Sequence, residues 1–124
     1  MPEHPRLPDA EFDVMQIIWS ETPPVSSMKV ASRIAPEKKW KPQTVLTLLT
    51  RLTQRGFLAS EKQNRERFYT PLVSQEEYLS CQTDQFVRRF HKNSLTGLMN
   101  ALYADKSPNE EELEALEAWL RERK

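Results

Sequence analysis

The sequence predicts a mainly α fold interrupted by one small β-hairpin, with the hairpin closing a three-helix head and further helices following it. Three observations predict this. Apolar residues recur at third and fourth positions in three segments before Gly56, as in helices that bury one face. Between Phe57 and Leu72 that spacing gives way to two short runs around a polar turn. From Ser74 the helical spacing returns and holds to the end of the chain.

The first helix is expected over about residues 9–19, where Phe12, Met15 and Trp19 share a face that Val14, Ile17 and Ile18 widen. Asp9, Glu11 and Asp13 complement the positive end of its dipole. Glu21-Thr22-Pro23-Pro24 ends it, because proline lacks a backbone donor and disfavours a helical residue before it. The second helix takes Ser26 or Ser27 as its cap, turns Met28, Val30, Ala31 and Ile34 inward, and is expected to end before Pro36. A short connector containing Lys38, Lys39, Trp40 and Lys41 follows, with Trp40 expected to plug the core at the start of the third helix. Pro42 suits the first position of that helix, where the N–H has no partner anyway, and Gly56 suits a left-handed terminator. Val45, Leu48, Leu49 and Leu52 make its buried stripe. A rotation of about 100° per residue sets Gln43, Thr47, Thr50 and Gln54 almost opposite, with Thr44 and Arg51 on one flank and Leu46 on the other.

Residues 57–62 and 67–72 read as two strands about Gln63-Asn64-Arg65-Glu66, whose Asn tolerates positive φ. Three helices closed by such a hairpin make the winged helix-turn-helix plan. Beyond it, Ser74 and Glu77 have capping-box spacing for a helix carrying Tyr78, Leu79, Phe86, Val87 and Phe90. Leu95, Leu98, Met99 and Leu102 mark the next helix, with Gly97 a weak point inside it. Ser107-Pro108-Asn109-Glu110 reads as a second box, opening a helix with Leu113, Leu116, Trp119 and Leu120. Short helices with wide apolar sides are not stable alone. Leu79, Phe86, Phe90, Leu95, Leu98, Leu102, Leu113, Leu116, Trp119 and Leu120 are therefore expected to meet a second copy of the chain, folding back on the head being the alternative. The division expected is a DNA-binding head over residues 1–73 and a dimerisation region over 74–124.

At 124 residues the chain accommodates one compact head with an appendage and not two full domains. No stretch reaches the roughly 20 apolar residues of a membrane span, and Met1-Pro2-Glu3-His4-Pro5 lacks the order of a signal peptide, so a cytoplasmic location is expected. Cys81 is the sole cysteine, which excludes an intramolecular disulfide and a cysteine-based metal cluster within one chain; it is expected to be a small packing residue. His4, expected in a loose terminus, and His91 have no acid or cysteine at a spacing that suggests a triad. Glu110, Glu111, Glu112, Glu114 and Glu117 run around a helix with no histidine beside them and read as a solvated face. Gly56 and Gly97 do not make a phosphate loop. No catalytic residue, metal, cofactor or small-molecule substrate is expected.

The net charge of zero conceals an asymmetry, because residues 29–67 hold ten basic side chains against three acidic ones. Charge alone does not separate a nucleic-acid face from a solvated surface, but the pattern adds to it. Gln43, Thr44, Thr47, Thr50, Arg51 and Gln54 would line one face of the third helix. Arg pairs with guanine, Gln with adenine, and a Thr methyl touches the thymine methyl while its hydroxyl bonds a base or phosphate. Lys38, Lys39, Lys41, Lys62, Arg65 and Arg67 would supply cations for phosphates. Such contacts specify DNA best when two heads add them over two half-sites, so a double-stranded palindromic operator and a homodimer are the expected partners. A protein-interaction module that uses the same helix without DNA readout is the alternative.

Leu7-Pro8-Asp9-Ala10-Glu11-Phe12-Asp13-Val14-Met15 with Ile17-Ile18-Trp19, the helix Trp40-Lys41-Pro42-Gln43-Thr44-Val45-Leu46-Thr47-Leu48-Leu49-Thr50-Arg51-Leu52, and the exit Gly56-Phe57 together resemble the penicillinase repressor family (BlaI, MecI and the copper-responsive CopY branch) over essentially the whole chain. The resemblance implies a dimeric winged-helix repressor on a palindromic operator, relieved in several members by a β-lactam-sensing membrane protease. It carries Thr44, Thr47 and Arg51 onto the reading helix and Asn64-Arg65 onto the wing. Lys41 stands where better-known members have a serine cap, and Leu46 where they have an arginine, which implies a different operator sequence. The nearest counterpart of the staphylococcal cleavage site is Asn100-Ala101, reached across a small insertion. The copper branch's C-terminal cysteine cluster has no counterpart here.

Overall fold

The computed structural model describes residues 3–124. Its elements are α1 (Asp9–Ser20), β1 (Val25–Ser26), α2 (Ser27–Lys38), α3 (Pro42–Gln54), β2 (Leu58–Gln63), β3 (Glu66–Pro71), α4 (Gln75–His91), α5 (Leu95–Leu102) and α6 (Glu110–Glu122). They fall into two compact units, one ending at Gln82 and the other spanning Thr83–Lys124.

In the first unit, Val14, Met15 and Ile18 of α1, Val30 and Ile34 of α2, and Val45, Leu48, Leu49 and Leu52 of α3 meet in one core, closed by Phe57, Leu58 and Tyr69. The apolar spacing predicts these faces because burial selects the same side chains that periodicity aligns. Trp40 is half-buried against this core, at the start of α3. The third helix ends as its glycine requires: Gly56 takes φ 83°, its N–H donates to the Thr53 carbonyl and the Phe57 N–H to the Leu52 carbonyl, the paired bonds of a Schellman motif. β2 and β3 pair antiparallel from Leu58↔Pro71 to Gln63↔Glu66, leaving a two-residue tip at Asn64-Arg65 with Asn64 at φ 58°.

Several local expectations are corrected. The second helix does not stop before Pro36 but runs on to Lys38 with Pro36 inside it, and Lys39 closes it at φ 55°, its N–H donating to the Ala35 carbonyl. A third strand, β1, joins β3 through Val25↔Tyr69 and Ser26↔Phe68, giving the order β1-β3-β2. Two residues are too few to leave an alternating signal. The cap of α6 is Asn109, whose Oδ1 accepts from the Glu112 N–H at 2.7 Å, and not Ser107. Asn109 places Glu112 three positions on, and the Glu112 carboxylate accepts instead from the Tyr103 hydroxyl.

The first unit also extends past Val73. Ser74 caps α4 as expected, accepting from the Glu77 N–H at 3.0 Å, but the first turns of α4 are tied into the head. Tyr78 is buried, its hydroxyl accepts from the Leu7 N–H at 2.7 Å, and its ring meets those of Phe12, Trp19 and Phe57. The Trp19 indole donates to the Val73 carbonyl at 2.9 Å. Burial pushes the Tyr78 phenol above its ordinary range, with the Leu7 hydrogen bond opposing.

In the second unit, covering the rest of α4 with α5 and α6, no residue is buried. Ser94 caps α5 by accepting from the Gly97 N–H at 2.9 Å. Leu95 and Met99 of α5 with Leu116, Trp119 and Leu120 of α6 line an open apolar cleft of about 700 Å³. No helix among the described residues is long and apolar enough to cross a membrane.

Candidate nucleic-acid interface

With Val45, Leu48, Leu49 and Leu52 buried, the opposite face of α3 is presented outward. Gln43, Thr44, Thr47, Thr50, Arg51 and Gln54 are all exposed, Lys41 is exposed just before them, and Leu46 on the flank is half-buried. The amphipathic helix therefore brings the six sequence-predicted residues onto one accessible face. Its hydroxyls are not all available. Thr47 Oγ1 donates to the Gln43 carbonyl at 3.0 Å and Thr50 Oγ1 to the Leu46 carbonyl at 2.9 Å.

Lys62, Arg65 and Arg67 are exposed on the hairpin, Arg65 at its tip. Arg67 is tethered, donating to Ser60 Oγ across β2 and β3 at 3.0 Å. Below it Tyr69 is buried; burial raises its phenol above the ordinary range, while Arg67 and a Ser60 hydrogen bond pull the other way. Thr50, Thr53 and Gln54 of α3 meet Ser60, Arg67 and Tyr69 around a hollow of about 260 Å³, which joins helix face and wing into one surface. Lys38, at the end of α2, pairs through its Nζ with Asp13 Oδ2 at 3.2 Å, both side chains being partly exposed.

The predicted dimerisation residues lie at the surface, with Leu98 and Leu116 half-buried and the other eight exposed, up to 62% at Phe90. Leu79 belongs to the first unit; the remaining nine belong to the second. Phe86 and Phe90 touch each other with ring centroids 5.0 Å apart, and the Arg123 guanidinium lies 4.0 Å from the Trp119 ring. Asn100 and Ala101 are exposed near the end of α5, in helical backbone.

Two groupings escaped sequence reasoning. Glu11, expected only to complement the α1 dipole, is 1% exposed, and Arg55 at the end of α3 donates its Nε–H to it at 2.6 Å. His4 is held and not loose: Nε2 lies 2.6 Å from Glu77 Oε2, its N–H meets Cys81 Sγ at 3.2 Å, and its carbonyl accepts from Gln82 at 2.7 Å. Cys81 is buried, as expected for a packing residue. The bonds between His4 and the Cys81 thiol run through the His4 backbone N–H and carbonyl. Among the described residues no group of three or more His, Cys, Asp or Glu side chains is placed to hold a metal ion.

Comparison with known proteins bears on this surface. A family model described as penicillinase repressor matches residues 7–122. A penicillinase repressor of Bacillus licheniformis is 30% identical over 112 residues, covering 90% of this chain and 87% of that protein. The methicillin resistance regulatory protein MecI of Staphylococcus aureus strain N315 is 28% identical over 110 residues, covering 89% of each. Among solved structures, the DNA-binding domain of the repressor BlaI matches with TM-score 0.54 and 32% identity over 63% of this chain and 94% of that one. The monomeric form of Bacillus licheniformis BlaI in complex with the blaP half-operator matches with TM-score 0.53 and the same identity and coverage.

Proposed function

The chain belongs to the penicillinase repressor family, and on that premise we propose that this DNA-binding repressor works as a two-fold dimer on a palindromic operator. The α3 surface carries the reading: six polar side chains stand exposed on the face opposite a fully committed apolar stripe. Arg51 with Gln43 and Gln54 supplies donors to base edges, Thr44, Thr47 and Thr50 fill the helix face between them, and Lys41, Lys62, Arg65 and Arg67 aim positive charge at flanking phosphates. The solved half-operator complex of BlaI, matched at 32% identity, supports this assignment of α3 and the wing.

The dimer reading draws on the second unit, where apolar side chains line an open cleft and none is buried. A second copy would cover them, and two-fold symmetry would present two heads to two half-sites. Relief of repression would then come from loss of this contact. A β-lactam-sensing membrane protease is the proposed agent, with Asn100-Ala101 as the bond cut. That bond is exposed, and opening one terminal turn of α5 would make it extended enough for a protease.

The direct test is a mobility-shift titration against the DNA upstream of the protein's own gene. Affinity is expected to fall by orders of magnitude between about 50 and 200 mM salt, as neutralised phosphates regain their counterions. Affinity that is flat over that range defeats the phosphate-contact reading.

A further inference from the structure

The described residues ahead of α1 form no helix or strand, yet they are bonded along the start of α4. His4 Nε2 lies 2.6 Å from Glu77 Oε2, and a carboxylate only accepts, so the ring N–H is the donor. The His4 backbone N–H donates to Cys81 Sγ at 3.2 Å, and its carbonyl accepts from Gln82 Nε2 at 2.7 Å. Three residues on, the Leu7 N–H donates to the Tyr78 hydroxyl at 2.7 Å. This strap is itself seated on the core: Leu7 is 2% exposed, and the His4 ring centroid lies 5.6 Å from that of Phe57.

The strap's partners are the seat of α4 in the first unit. Between Gln75 and Gln82 the residues that are not exposed are Glu77, Tyr78, Cys81 and Gln82, and each of them bonds to His4 or Leu7. They stand at i, i+1, i+4 and i+5, on one side of the helix. A helix held at its cap alone can pivot, whereas bonds spread over more than a turn also hold its direction. α4 does not end with the first unit: it runs as one helix from Gln75 to His91, past the boundary at Gln82. We propose that residues 4–7 are a positioning strap, which pins the start of α4 to the head and so sets the half-site separation that the repressor accepts. This rests on the dimeric repressor reading above and adds what holds each head in place. Two heads on a firm joint gain affinity where the half-sites match their spacing and lose it elsewhere; heads on a loose joint accept many spacings and favour none strongly. His4 is thus a positioning residue that acts through α4 and has no need to touch DNA.

The test titrates the full-length protein against three duplexes built from the palindrome upstream of its own gene: the intact site, one half of it, and the site with two base pairs inserted at its centre. Wild-type protein is expected to bind the intact site about 100-fold more tightly than the half-site, and to lose most of that advantage on the spaced site. His4→Ala is expected to bind the half-site as wild type does, to lose about tenfold on the intact site, and to bind the intact and spaced sites within about twofold of each other. Glu77→Ala, at a side chain one-third exposed, is expected to behave in the same way should His4→Ala fold poorly. Glu77→Gln, whose amide oxygen still accepts from the ring, is expected to keep the wild-type spacing preference. Alanine variants that keep that preference, alanine variants that weaken all three duplexes equally, or a glutamine variant as loose as the alanine ones overturn the strap and leave the dimer reading in place. Equal weakening is what a merely structural role would give. Wild-type protein that binds the half-site and the intact site alike overturns the dimer reading itself.

Discussion

Among the described residues, seventeen hydrophobic side chains are buried in the unit that ends at Gln82, whereas from Thr83 to Lys124 not one residue is. Both regions contain well-capped helices, and both carry apolar residues at helical spacing, so local sequence quality does not separate them. What separates them is whether the chain supplies a partner for each apolar face. In the head, α1, α2, α3 and the hairpin cover one another, and even a carboxylate, Glu11, is buried with Arg55 as its counterion. In the second unit Phe86, Phe90, Leu95, Leu102, Leu113, Trp119 and Leu120 stand more than a third exposed. Apolar residues exposed together in this way are what the proposed second copy would cover. The head thus covers its own apolar faces, while the second unit leaves its apolar side chains at the surface, where the proposed dimer would cover them.

Substitutions in the two regions are expected to break different things. Leu49→Ala, at a wholly buried position of α3, should cost about 2–5 kcal/mol in urea unfolding of the head. Arg55→Ala leaves the Glu11 carboxylate buried without its counterion. Because the guanidinium is itself 41% exposed, the cost is expected at about 2–3 kcal/mol, at the low end of or below the roughly 3–5 kcal/mol for breaking a fully buried pair. Trp119→Ala should leave head unfolding unchanged and weaken self-association by about 2 kcal/mol, seen in sedimentation equilibrium as a dimer that dissociates at higher concentration. A strictly monomeric wild-type protein at micromolar concentration would undo the comparison altogether. Asn109→Ala should cost about 1 kcal/mol and act only on α6, measured as faster amide exchange in its first turn with no change in the head.

Much of the head was legible in the sequence. The stripe Val45, Leu48, Leu49 and Leu52, the start at Pro42 and the left-handed stop at Gly56 depend on neighbours within a few residues, so they are written locally. For the same reason the polar face from Gln43 to Gln54 emerged as drawn, since fixing one side of a helix fixes the other. The errors cluster where local rules offer near-equal choices. Asn109 and Ser107 are both competent caps two residues apart, and Pro36 lies inside α2 only two residues from its end, so the rule that proline stops a helix misplaces that end by a short stretch. The head's extension into α4 was hidden by Ser74, a sound helix start that says nothing about which unit the helix joins.

The sequence by itself determined the helices, most of their buried faces, the hairpin and the outward row on α3, because a repeating backbone turns residue spacing directly into direction; Met28, expected to face inward on α2, instead stands 71% exposed. Only the tertiary structure decided that Glu11 meets Arg55, that His4 reaches Glu77 and Cys81, that two residues at Val25 complete the sheet, and that Lys38 pairs with Asp13. Those partners lie tens of residues apart along the chain or have no period to announce them. They are chosen by the path of the whole fold through space, to which no local spacing refers.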